Sequence, residues 1–235
     1  MKDERPYILC LMMTSVDGKI LGAQWGDSPK MKVLKGTFEK IHEEIGISAW
    51  IVGRTTMEKD FTDFAKPILK KGNQQVDRKD FVADHQSDAF AIAIDGQARL
   101  GWKASTMHGD HVITILTESV KNGYLAHLQE IGVSYIFAGK DDIDLNIALR
   151  KLRRLFGIEK LMLEGGGHIN GSFLNAGLID ELHQLLLPVA DGTIATSTLF
   201  EIDPETKKDG ATLLKLKNVK HLENDVLWLT YTFSH

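Results

Sequence analysis

Cysteine is almost absent from this chain: Cys10 is the only one. A disulfide scaffold is therefore excluded, and the fold must hold by core packing. Long apolar runs are missing too. The longest, Tyr7 to Met13, has seven residues, whereas a membrane-spanning helix needs roughly 20. No charge of one sign dominates, since 28 Lys and Arg face 32 Asp and Glu for a net charge of −4. General nucleic-acid binding relies on a basic surface and is not expected. Neither a low-complexity tract nor an internal repeat divides the 235 residues, so a single domain over 1–235 is the expectation. The opening Met1-Lys2-Asp3-Glu4-Arg5 carries acids and leads into no small-residue cleavage site. It does not read as a signal peptide, and a cytoplasmic protein with no membrane association is expected.

What is present is an alternation of short apolar runs with segments of helical period. The runs predict strands at Tyr7–Met13, Ala49–Val52, Ala89–Ile94, Val112–Leu116, Tyr135–Phe137, Lys160–Leu163, Leu182–Pro188, Thr212–His221 and Val226–Phe233. Helices are predicted at Met31–Ile45, Val120–Ile131, Leu145–Phe156 and Ile169–Ala176. In Leu145–Phe156 the apolar residues recur at three- and four-residue steps, leaving Arg150, Lys151, Arg153 and Arg154 mostly on the solvated side. Strand–helix–strand order implies right-handed crossovers and a mainly parallel sheet. The last two strands flank Glu223-Asn224-Asp225 and read as an antiparallel hairpin on one sheet edge. The polar stretch from Phe61 to Asp88, with Gly72-Asn73-Gln74-Gln75, has no sustained period, and a lid over the substrate is the role expected of it.

Three strand ends carry chemistry. The first is Leu163-Glu164-Gly165-Gly166-Gly167-His168-Ile169-Asn170, an apolar strand that runs through glycines into a helix. Glycines let a phosphate approach the backbone, and a helix N-terminus offers free N–H groups and partial positive charge. The alternative is a turn that needs only positive φ, but three consecutive glycines exceed that requirement. The spacing is not G-x-G-x-x-G, because Asn170 stands where the third glycine belongs, and no P-loop is present. Glu164, last before the glycines, suits either a carboxylate aimed at a ligand or an acid capping the helix. The second is Gly53-Arg54-Thr55-Thr56, where an Arg fork and Thr hydroxyls suit phosphate; the alternative is a capping Thr beside a surface Arg. Two such ends suggest a dinucleotide with an additional phosphate. The third, Thr14-Ser15-Val16-Asp17-Gly18-Lys19-Ile20, is by itself a tight turn. His108 and His111 have no Cys or Glu at ligand spacing, so they are expected to be surface histidines, and no metal site is expected.

Together these clusters resemble the dihydrofolate reductase superfamily, and more closely its branch formed by the reductase domain of the riboflavin-pathway deaminase–reductase. The resemblance runs from Ser15-Val16-Asp17-Gly18-Lys19-Ile20 through Gly53-Arg54-Thr55-Thr56 and Leu163-Glu164-Gly165-Gly166 to Gly177-Leu178-Ile179-Asp180-Glu181-Leu182. It implies a dihydrofolate reductase-like, three-layer α/β fold with a mainly parallel twisted sheet and an antiparallel C-terminal hairpin. It also implies a homodimer and an NADPH-dependent reductase of a pyrimidine- or pterin-like small molecule, with 5-amino-6-(5-phosphoribosylamino)uracil as the first candidate substrate.

By position, the resemblance sets Arg54 against the adenosine 2′-phosphate and makes Gly53, Thr56 and Asp60 further cofactor contacts. Gly165, Gly166, Gly167, His168, Ile169 and Asn170 line the pyrophosphate, with a cis peptide expected between Gly165 and Gly166. Thr14 and Trp25 lie near the cofactor, and Glu164 contacts substrate. Asp17 and Glu164 are the acids available for proton transfer. The zinc deaminase signature is absent. No motif marks the basic residues that hold the ribose phosphate; Arg78, Lys79 and Lys35 are the cations at hand. Dihydrofolate reduction fits less well, because Asp27, Ser28, Pro29 and Lys30 follow Trp25 without an acid at the spacing that enzyme uses. A nucleotide-binding protein without turnover is the competing reading.

Overall fold

The computed structural model describes residues 4–20, 22–70, 72 and 74–234. Met1, Lys2 and Asp3 of the N-terminal stretch, and Asn73 of the Gly72–Gln75 segment, lie outside the described residues. In chain order the elements begin with β1 (Tyr7–Thr14), α1 (Pro29–Ile45), β2 (Ala49–Gly53), α2 (Arg54–Thr56) and β3 (Phe90–Ile94). There follow β4 (Thr106–Met107), β5 (Asp110–Leu116), α3 (Asn122–Glu130), β6 (Ser134–Phe137) and α4 (Leu145–Phe156). The chain closes with β7 (Lys160–Leu163), α5 (Gly167–Asn175), β8 (Glu181–Leu186), β9 (Leu214–His221) and β10 (Leu227–Phe233).

Local chemistry explains where these elements start and stop. The Ser28 Oγ accepts the Met31 N–H at 3.2 Å with Pro29 in the first turn, and Gly46 ends α1 in the left-handed region. Asp144 caps α4 by accepting from the Asn146 and Ile147 amides at 2.8 and 3.1 Å. The α4 stripe buries Ala148, Leu149 and Leu152, as its period predicts, while Arg150 and Arg154 face solvent. Strands β1, β2 and β3 are buried along nearly their whole length, the signature of parallel strands covered on both faces.

The chain forms two compact units. One comprises Tyr7–Ile47 and the residues from Met162 onward; the other comprises Ser48–Leu161 and the residues up to Pro6. In the first, β1 runs parallel to β8 from Leu9 opposite Glu181 to Thr14 opposite Leu186. β10 pairs antiparallel with β8 and β9 with β10, the hairpin expected from the sequence. In the second, β2, β3, β5 and β6 are parallel neighbours in that order. The two-residue β4 adds an antiparallel turn onto β5 that no sequence period announced.

The hairpin contains an irregularity. Thr230 faces Asn218 but Tyr231 faces Leu216, so Lys217 is the extra residue of a bulge. Its Nζ reaches both Glu181 oxygens at 3.0 Å, where the Tyr7 hydroxyl also donates at 2.7 Å. His183 Nε2 lies 2.8 Å from Glu181 Oε1, while its Nδ1 accepts from the Trp228 indole at 3.2 Å. Those two partners fix the neutral tautomer with the proton on Nε2.

One expectation needs correction. His111 is 1% exposed, not a surface residue: its Nε2 lies 2.7 Å from Ser134 Oγ and its ring stacks on His85. Burial lowers its pKa to about 4. His108 is exposed as expected. Parts of the 61–88 stretch are tied to their neighbours at three points. The Gly101 amide donates to Ala65 O at 3.1 Å, Phe81 exchanges backbone hydrogen bonds with Tyr135 at 2.9 Å, and Asp80 accepts from Phe137 N and Lys151 Nζ.

Candidate active site

Strand β7 delivers Glu164 at its end, with a side chain only 10% exposed. Its Oε1 lies 2.6 Å from His42 Nδ1, and whichever group carries the shared proton donates it. Burial pushes the Glu164 pKa up, His42 pulls it part of the way back, and Glu39 adds to the rise. Glu164 does not cap α5, which has no side-chain cap, so the capping alternative falls away. His42 was not legible as a site residue. It does lie four residues after Phe38 and one after the buried Ile41, on the inward stripe of α1.

The glycines divide their work. Gly165 takes φ +89°, and the Gly165–Gly166 peptide is cis, as expected. The α5 ladder begins only with Asn170 N–H to Gly166 O at 3.1 Å, which leaves the amides of Gly167, His168 and Ile169 beyond the helix's own carbonyls. His168 is 87% exposed and Ile169 half-buried, while Gly167 is buried against Thr198 O and the Glu201 carboxylate, so only the outer side of this first turn meets solvent. Such an end, uncapped by any side chain, fits an anionic group such as a pyrophosphate. Gly167 and Gly171 also answer a packing demand. A Cβ at either would run into the segment 198–201, at Thr198 O or Glu201 O. Asn170, fully buried, gives its Nδ2 to Leu199 O at 3.1 Å, and its Oδ1 has no hydrogen-bond partner among the described residues. That oxygen could accept from an N–H or O–H donor but not from a phosphate.

In the same unit, Asp17 accepts the amides of Asp191 and Gly192 at 3.0 and 2.9 Å. These bonds, with one from Ser15, hold its carboxyl well below the usual carboxylate range. The Trp25 indole donates to Asp191 Oδ2 at 2.6 Å, so Trp25 and Asp17 meet on one loop. Thr14 is fully buried and its Oγ1 accepts from Gln184 Nε2 at 2.9 Å. Of the cations named for a ribose phosphate, Lys35 bonds Gly26 O and Asp27. Arg78 holds the carbonyls of Glu118 and Val120 and the Asn122 side chain, and Lys79 pairs with Asp77 at 2.7 Å.

The other unit holds the second strand end. Gly53 leads into α2, which continues as a wider π turn through Met57–Phe61. Gly53, Arg54 and Thr56 are half-buried along this turn, and Asp60 is exposed. Arg54 Nη1 donates to Glu58 Oε2, a partner the sequence reading missed although Arg and Glu stand four residues apart on a helix. Lys66 Nζ bonds the other Glu58 oxygen at 3.2 Å.

The model of one protein family, the RibD C-terminal domain, matches residues 6–228. The chain belongs to the RibD C-terminal domain family. Two relatives carry the same name, 2,5-diamino-6-ribosylamino-4(3H)-pyrimidinone 5′-phosphate reductase. The one from Aquifex aeolicus is 27% identical over 93% of this chain and 89% of its own length. The one from Methanothermobacter thermautotrophicus is 28% identical over 95% and 96%. Among solved structures, a pyrimidine reductase-like protein from Corynebacterium diphtheriae superposes on this RibD C-terminal domain with a TM-score of 0.64 at 17% identity. That superposition covers 100% of this chain and 94% of the other, and it shows the shared dihydrofolate reductase-like fold.

Proposed function

We propose that this chain is a reductase of a phosphoribosylamino-pyrimidine in riboflavin biosynthesis, with NADPH as hydride donor. The observation that carries this reading is membership of the RibD C-terminal domain family over residues 6–228, with two relatives of similar extent named for one and the same reduction. Those names put the 2,5-diamino-4(3H)-pyrimidinone ahead of the deaminated uracil as first substrate.

When bound, a nicotinamide would supply the hydride that reduces the C1′ imine of the opened sugar, with the proton coming from the protein. The residues of the chain do the rest. The amides of Gly167, His168 and Ile169 hold the pyrophosphate, and Arg54 takes the 2′-phosphate. Gly53, Thr56, Asp60 and Trp25 are assigned further cofactor contacts. Thr14, whose Oγ1 accepts from Gln184 and keeps its own proton to donate, is assigned a contact near the nicotinamide. Glu164 is assigned to substrate and to proton transfer, with the proton held between its Oε1 and His42 Nδ1. Asp17 is kept ionised by backbone amides and braces the loop at Asp191 instead. Two copies pair through the outward edge of β9 as a cytoplasmic homodimer.

The test is substrate-dependent oxidation of NADPH by the purified chain, followed by nicotinamide absorbance with each pyrimidine in turn. Turnover that Glu164→Ala abolishes is the expected result. Thermal stabilisation by NADPH without oxidation in the presence of either pyrimidine would sink the enzymatic reading and leave nucleotide binding.

A further inference from the structure

Arg54 does not meet a phosphate as an isolated cation. The turn from α2 into Met57–Phe61 sets Glu58 one helical turn from it, with a carboxylate side chain only 7% exposed. One Glu58 oxygen takes Arg54 Nη1 and the other takes Lys66 Nζ at 3.2 Å. A second carboxylate, Asp95 at the end of β3, is fully buried and acts electrostatically on Arg54. Its own oxygens are occupied by the Arg99 and Leu100 amides and the Tyr124 hydroxyl. Two cations therefore balance two carboxylates within this cluster.

Lys66 differs from the other three in mounting. Its side chain is 69% exposed, but the backbone beneath it packs against Gly101, whose amide donates to Ala65 O at 3.1 Å. An exposed charge on an anchored stem is free to leave Glu58 for a stronger anion. A carboxylate beside a phosphate repels it, and that repulsion is strong where water is excluded.

On the reading that Arg54 takes the 2′-phosphate, we infer that Glu58 and Lys66 set how strongly this chain prefers a 2′-phosphorylated dinucleotide. Glu58 weakens the preference by holding Arg54 and opposing the incoming charge, and Lys66 restores it. Glu58 is a positioning residue here, and Lys66 is a second phosphate cation that the sequence pattern did not mark.

The experiment measures Kd of the full chain for adenosine 2′,5′-bisphosphate and for adenosine 5′-monophosphate, and reads their ratio. The ratio isolates the 2′-phosphate and needs no turnover. Glu58→Gln, close in size and uncharged, raises the preference by about tenfold, as expected for removing a buried opposing charge. Lys66→Met lowers it by about threefold, the scale of an exposed ion pair, and that loss shrinks as salt is raised. The double variant sits about threefold above the starting ratio, the product of the two changes. A lowered ratio in Glu58→Gln overturns the inference, because Glu58 would then serve only to orient Arg54. If Arg54→Ala abolishes the preference while Glu58→Gln and Lys66→Met leave it unchanged, the inference falls and the Arg54 reading stands. A chain with no preference, unaltered by Arg54→Ala, removes both.

Discussion

The two strand-to-helix junctions hold charge in different ways. At the end of β7 the positive field comes from backbone amides at the uncapped start of α5, and side chains are kept small so that the chain can pass. At the end of β2 it comes from side chains, Arg54 and Lys66, offset by Glu58. A backbone site is hard to tune, since any substitution that preserves the turn preserves the amides. A side-chain site can be reset by one charge.

The comparison can be broken at several points. Glu164→Ala is expected to lower kcat by about 10²- to 10⁴-fold, the range for losing a proton-transfer group. Steady-state rates on a variant shown to be folded would check this, and an unaltered kcat would remove chemistry from the first junction. Next in size, Gly171→Ala drives a Cβ into Glu201 O and is expected to cost roughly 2–3 kcal/mol of stability by denaturant unfolding. A tolerated alanine would mean that the 198–201 segment yields. Arg54→Ala is expected to reduce the preference for NADPH over NADH by about tenfold, read from the two binding constants, with little effect on binding shared by both.

The smallest effect is in pH. The folded pKa of Glu164 is raised, so its favourable contribution is complete below its ordinary value near 4.5 and is lost as pH rises through the folded value. Unfolding curves of wild type and Glu164→Gln should therefore diverge with rising pH, the variant becoming relatively more stable. Salt should leave that divergence nearly unchanged while weakening nucleotide discrimination at the second junction.

Much of the fold was legible because it is locally written. Lys160–Leu163 and Leu145–Phe156 were bounded to the residue, since an apolar run and a helical stripe with an Asp cap and a Gly stop carry their own limits. The two-residue β4 was not, because two residues have no period. Candidate site residues were legible where backbone geometry demands a residue type, as at Gly165 with φ +89°. Partners were not. Glu164 meets His42 across 122 residues of sequence, and His111 is buried against a serine 23 residues away. Its neighbours Gly109 and Asp110 speak of a loop, and long-range partners, Ser134 on β6 with His85 and Phe90, turn that position into core.

The bulge at Lys217 has a consequence for how the molecule behaves in company. Every residue of β9 is exposed, and an edge strand with free backbone groups is a template on which foreign strands can grow. The extra residue breaks the regular spacing of that edge, and the lysine it re-aims is tethered inward to Glu181. Lys215 and Lys220 add like charge along the same strand, which disfavours indefinite stacking of identical edges. The irregularity thus makes this edge a poor template for a flat foreign strand.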